Sequence, residues 1–236
     1  MKLKETLRDY LSKEDYDSLS RMAQEHGGKM TNGLIGFLSD PDEIRKWQAV
    51  KAIGIVTAKL YSLDPERAKK ILRQLIWNLN EESGGIGWGM PEAFGEILAA
   101  IPELQEEYAC LLVAYIAEER CFIENEQVQK GVIWGLGRIK YFQQALRDKV
   151  IPFLLKVLKN SDPSLQGTAI WSVGEMGIRE AVPLLKTLRI ENRMLKIYTG
   201  ESLEEKPLPQ WVEEALKKLE LDKGNDSDGR KRMEMQ

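Results

Sequence analysis

The chain has 236 residues, 43% hydrophobic and 30% charged, with a formal net charge of −3. That balance suits a folded domain with a sizeable core, and it excludes a surface that is basic all over, so nucleic acid is not an expected partner. No run approaches the roughly 18 apolar residues of a membrane span. Met1-Lys2-Leu3-Lys4-Glu5 turns polar too soon for a signal peptide, which makes a cytoplasmic location the expectation.

Residues 2–26 read as one or two capping helices, with His26 in the last turn before Gly27-Gly28. Beyond them the chain repeats itself. The segments WQAVKAIGIV (47–56), WGMPEAFGEI (88–97), KGVIWGLGRI (130–139) and GTAIWSVGEM (167–176) align on Gly54, Gly95, Gly137 and Gly174, spaced 41, 42 and 37 residues apart. Ala52, Ala93, Gly135 and Ser172 stand two places before each glycine. Val56, Ile97, Ile139 and Met176 stand two places after. At about 100° per residue these positions share one face of a helix, and the small residues let a neighbouring helix come close.

An amphipathic helix precedes each of these segments, with apolar runs at Leu34–Leu38, Ile71–Leu79, Ala109–Ala117 and Val150–Leu158. Asp40-Pro41-Asp42, Asp64-Pro65, Pro102 and Ser161-Asp162-Pro163 mark the boundaries. Helical hairpins at such a period predict an all-α, right-handed solenoid over residues 28–190. The stretches SDPDEIRKWQAVKAIG and SDPSLQGTAIWSVGEMG, the latter followed by AVPLLKTL, resemble HEAT repeats, in particular those of the phycobilisome-lyase-like subgroup and of other bacterial HEAT proteins. The resemblance implies a fold and leaves the activity open.

Residues 191–221 break the pattern. Met194-Leu195-Lys196-Ile197-Tyr198 alternates like a strand and Thr199-Gly200-Glu201 reads as its turn, predicting a small β-hairpin before a last helix from Pro209 to about Leu221. Residues 222–236 are polar and aperiodic and predict a disordered tail.

Catalytic groups are sparse. His26 is the sole histidine and no C-x-x-C occurs, so neither a zinc site nor a Ser-His or Cys-His mechanism can be assembled, and no cofactor is expected. Cys110 and Cys121 fall in one predicted helix, roughly 16 Å apart and thus unable to pair, and are expected in or near the core. The glycine-rich segment from Gly84 to Gly89 precedes a helix that begins at Pro91. Its amides could hold an anion, although it lacks the Lys-Ser/Thr of a P-loop and reads more simply as an interhelix loop.

Tryptophan placement carries the functional signal. Trp47 and Trp88 stand seven residues before their glycines, and Trp134 and Trp171 stand three before theirs. Seven and three differ by one helical turn, so the four share a face, roughly opposite the apolar one. With Glu92, Glu96, Lys130, Arg138 and Glu175 beside them, they would line the concave surface of a solenoid. The expectation is a monomeric, non-catalytic scaffold that takes another protein or peptide there, with packing between repeats as the competing account of the tryptophans. An alternative is that the order Trp88, Glu92, Lys130, Trp171 resembles the site of HEAT-like bacterial alkylpurine DNA glycosylases. It departs from that family in having Glu for Asp and Lys for Arg, and Glu96 and Glu175 would oppose a phosphate backbone. A bilin lyase or chaperone role rests on the subgroup resemblance alone.

Overall fold

The computed structural model describes residues 2–80, 87–117, 121–139, 143–188 and 191–233. Two helices, α1 (Lys2–Ser12) and α2 (Tyr16–His26), cap the N-terminal end. The Asp15 carboxylate accepts from the amide of Ser18 to start α2, and Gly27, with φ of 57°, ends it directly after His26. The helical hairpins follow, as α3 (Gly28–Ile35) with α4 (Glu43–Tyr61), α5 (Pro65–Leu79) with α6 (Met90–Ala100), α7 (Gln105–Ala114) with α8 (Glu126–Ile139), and α9 (Gln144–Val157) with α10 (Pro163–Glu175). A short α11 (Val182–Thr187), strands β1 (Met194–Tyr198) and β2 (Leu203–Pro207), and α12 (Leu208–Met233) complete the order.

Helix starts follow the boundary signals. Asp42, Asp64 and Asp162 each cap a helix with a side-chain oxygen, and Pro65 and Pro163 occupy first-turn positions where no amide is needed. The second helices of the hairpins stack in one inner layer, α4 on α6, α6 on α8, α8 on α10 and α10 on α12. The repeat glycines are the contact points of that layer. A Cβ on Gly95 would collide with the backbone of Gly135, one on Gly137 would meet Ser172, and one on Gly174 would lie 3.0 Å from Cα of Ala215. Across α8 and α10, the Ser172 hydroxyl donates to the carbonyl of Ile133 at 2.8 Å. Leu72, Phe94, Leu98, Leu112, Val132, Leu136 and Leu154 fill the layer between inner and outer helices.

The strands form an antiparallel hairpin with Met194 opposite Pro207 and Tyr198 opposite Leu203, as the alternation at 194–198 predicts. Helix α12 continues in its backbone past Leu221 to Met233, through a stretch rich in Asp, Lys and Arg but poor in apolar residues. One expectation is corrected. Cys110 and Cys121 are both exposed, and only Cys110 lies in α7, because that helix ends at Ala114. Among the described residues, no helix is long and apolar enough to cross a membrane.

Candidate binding site

Trp47, Trp134 and Trp171 of the inner helices stack on one another, and they do not form an open row. Trp47 is 7% exposed, Trp134 2% and Trp171 3%. Their ring centroids run in sequence, Trp47 to Trp134 at 4.8 Å and Trp134 to Trp171 at 5.9 Å, the latter pair nearly parallel. The hairpin covers them. Tyr198 stacks on Trp47 at 4.7 Å, and the Trp134 indole N–H donates to the Tyr198 carbonyl at 2.5 Å. Strand β1 lies close on α10 because Gly167 has no side chain, and Leu195 occupies the space that a Cβ there would take. The tryptophan face is therefore buried as well, as an aromatic part of the same continuous core. Helical periodicity shows that side chains share a face, and it does not show what lies on that face.

Buried charge stitches the same layer together. Glu92 of α6, 5% exposed, accepts from Lys46 of α4 at 2.6 Å. Glu96, one turn further, takes two hydrogen bonds from Arg138 of α8 at 2.7 and 3.2 Å. Glu175 of α10 pairs with Lys218 of α12. One carboxylate and one cation thus join α4 to α6, α6 to α8 and α10 to α12, while α8 and α10 are joined by the Ser172 hydroxyl, and the first two pairs are the buried ones. Breaking such a pair leaves the other charge buried and uncompensated, which typically costs about 3–5 kcal/mol.

The aromatic stack and Tyr198 divide the remaining space in two. On one side is a small cavity of 120 Å³ lined by Lys46, Trp47, Trp88, Glu92, Lys130 and Trp134, with Tyr198 and Lys196 of β1. Trp88, 40% exposed, stands at its edge in the turn before α6. The adjacent Gly89 has φ of 71°, and a Cβ there would fall 2.5 Å from the Leu38 carbonyl oxygen, so only glycine fits that turn. Residues 84–86 of the glycine-rich segment lie outside the described residues, so the proposed anion loop is placed only from Gly87 onward. Burial, with Lys46 nearby, holds the Lys130 ammonium below the usual lysine range, partly offset by Glu43, Glu92 and Asp162.

On the other side lies a wider polar groove of 540 Å³. Every inner helix from α4 to α12 contributes to it, through Lys51, Glu96, Arg138, Glu175 and Lys218, and the hairpin turn adds Gly200 and Glu201. Trp171 borders this groove and not the cavity. Of the nine residues singled out from sequence, the cavity therefore gathers Trp47, Trp88, Glu92, Lys130 and Trp134. The groove gathers Glu96, Arg138, Trp171 and Glu175. Sequence reasoning missed Lys46, which only its neighbour Trp47 could have flagged, and Tyr198, whose strand was foreseen without its role.

Stacked helical hairpins with a glycine-registered inner layer define an α-solenoid. Residues 122–196 match the family model for HEAT repeats. No curated protein matches the chain. Among solved structures, it is similar to an engineered protein (16% identity over 92% of this chain, TM-score 0.48), of whose length it spans 58%. It is also similar to a designed armadillo repeat protein in complex with the peptide (KR)4, at 18% identity, covering 93% of this chain and 100% of that one, with a TM-score of 0.47.

Proposed function

We propose that this solenoid is a non-catalytic scaffold that binds an extended segment of a partner protein along the polar groove. The supporting observation is the groove's continuity: all five inner helices from α4 to α12 present side chains to it, so a segment lying there would cross every repeat. Its charge suggests the partner's chemistry. Glu96, Glu175, Glu201, Glu204 and Glu214 face Lys51, Arg138, Lys206 and Lys218, which leaves one acidic group in excess, and Glu201 on the turn is exposed. A segment with spaced basic side chains and an apolar anchor against Trp171 and Trp211 would fit. Selection from a displayed peptide library tests this, with Glu201→Lys as the comparison because that residue has no part in the core. Enrichment of basic peptides by the wild type, weakened by salt and lost in Glu201→Lys, supports the reading. No enrichment, or enrichment indifferent to the substitution, contradicts it.

A second reading is favoured by one observation, that Trp88, Glu92 and Lys130 line the same small cavity. It would make the chain a base-excision enzyme resembling alkylpurine DNA glycosylases, with Glu92 stabilising positive charge as the glycosidic bond breaks. Trp171 weighs against it, being buried in the stack and bordering the other groove. Release of alkylated purine from damaged DNA by the wild type but not by Glu92→Gln would establish this activity, and no release would dismiss it.

A further inference from the structure

Three features of the small cavity converge on one side chain. Lys46 is already committed, its ammonium held by Glu92 Oε1 at 2.6 Å. Lys130 is half-buried and, among the described residues, has no hydrogen-bond or ion-pair partner. Glu92 is 5% exposed, and its second oxygen, Oε2, is buried without a partner and lies against Gly131, the residue next to Lys130. A desolvated lysine beside a second cation is the arrangement that frees an amine to act as a nucleophile. A buried carboxylate with an idle oxygen is what such an amine needs to move its proton.

We propose that Lys130 is a carbonyl-reactive amine that forms an imine with a small 2-oxo acid or aldehyde acid bound in this cavity. Size limits the ligand to a few heavy atoms, since the space is 120 Å³. Charge selects a carboxylate, because Lys46, Lys130 and Lys196 outnumber Glu43 and Glu92 among the lining groups. Trp47, Trp88, Trp134 and Tyr198 supply the apolar walls that keep water from reversing the reaction. In the reaction, the Lys130 ammonium passes a proton to Glu92 through a water in the cavity, and the free amine adds to the carbonyl carbon. The carbinolamine oxygen then takes that proton together with the second one from nitrogen and leaves as water. One protonated imine and one water replace one ammonium and one carbonyl, so no oxidant or reductant is needed.

The charged groups around Lys130 are Lys46 and Glu43 of α4, Glu92 of α6, Asp162 ahead of α10 and Lys196 of β1. Burial and Lys46 outweigh Glu43, Glu92 and Asp162, so the Lys130 amine is freed at lower pH than that of an exposed lysine. The proposal does not depend on the peptide reading, because it concerns a different compartment and a chemical reaction.

The test is reductive trapping on the wild-type protein. Glyoxylate and cyanoborohydride are added near neutral pH, and carboxymethylated lysines are mapped by peptide mass spectrometry. Labelling of Lys130 at about tenfold or more above the mean of the exposed lysines is expected from an activated amine. Glu92→Gln should slow that labelling while leaving the exposed lysines unchanged. The Lys130 labelling rate should also level off at lower pH than theirs. Labelling that follows exposure alone, with Lys130 no faster than the rest, would overturn the proposal without touching the peptide selection.

Discussion

Replacing Trp134 by Ala measures how much the aromatic layer stabilises the fold. The indole is 2% exposed and packs between Trp47, Trp171 and Tyr198, with centroids at 4.8, 5.9 and 6.0 Å. Truncating a buried Trp costs about 3–5 kcal/mol through lost transfer energy and the cavity left behind. The Tyr198 carbonyl also loses its donor, worth about 1 kcal/mol more. The sum, about 4–6 kcal/mol, should lower the melting temperature by roughly 10–20 °C for a chain of this size. Trp88→Ala is the internal control, since Trp88 is 40% exposed and its loss should cost less than about 1 kcal/mol. Urea unfolding followed by far-UV circular dichroism gives both values. An open binding row would instead let Trp134→Ala fold with nearly wild-type stability, and a loss under about 1 kcal/mol would refute the packing argument.

Other substitutions probe the same account. Gly95→Ala would drive a Cβ into the backbone of Gly135 and should cost at least about 1–3 kcal/mol, whereas Gly28→Ala has no atom within 4 Å of its Cβ and should be neutral or slightly stabilising in thermal melts. Burial pushes the Tyr16 phenol up to about 12 and raises that of Tyr198 as well, with Glu96 adding to both. The folded state therefore keeps protons that the unfolded chain releases above about pH 10, so stability should hold up to that pH and fall beyond it, with tyrosinate absorbance tracking the loss. Trimming the chain after Leu221 removes no residue of the described core, whose last member on α12 is Leu219, and should leave the melting temperature unchanged.

The solenoid was legible because its constraint is local and recurs. Each glycine sits where two inner helices touch, so the requirement for a small residue returns with every repeat, and Gly95 facing Gly135 shows why one spacing serves both. The candidate site was only half legible. Helical spacing puts Trp47, Trp88, Trp134 and Trp171 on one face, yet the stack of Trp47, Trp134 and Trp171 is covered by Tyr198, 64 residues beyond Trp134 in a hairpin outside the repeat pattern. Nothing in a helical period reports a contact made at that separation. Lys46 escaped notice because an ordinary surface helix also carries lysines, and only the Glu92 carboxylate, one repeat later, gives it a role. The helix beyond Leu221 lacks the apolar stripe by which the other helices were found.

Oxidative footprinting of the six tryptophans, read residue by residue by mass spectrometry, tests most directly whether the hairpin closes the inner face. Trp77 is 69% exposed and Trp88 40%, while Trp47, Trp134, Trp171 and Trp211 are buried. The account predicts rapid oxidation of the first two and protection of the other four in the native protein. Oxidation of Trp134 and Trp171 at the rate of Trp77 would mean that the tryptophan row is open, contradicting the division into a closed aromatic layer, a small cavity and a polar groove.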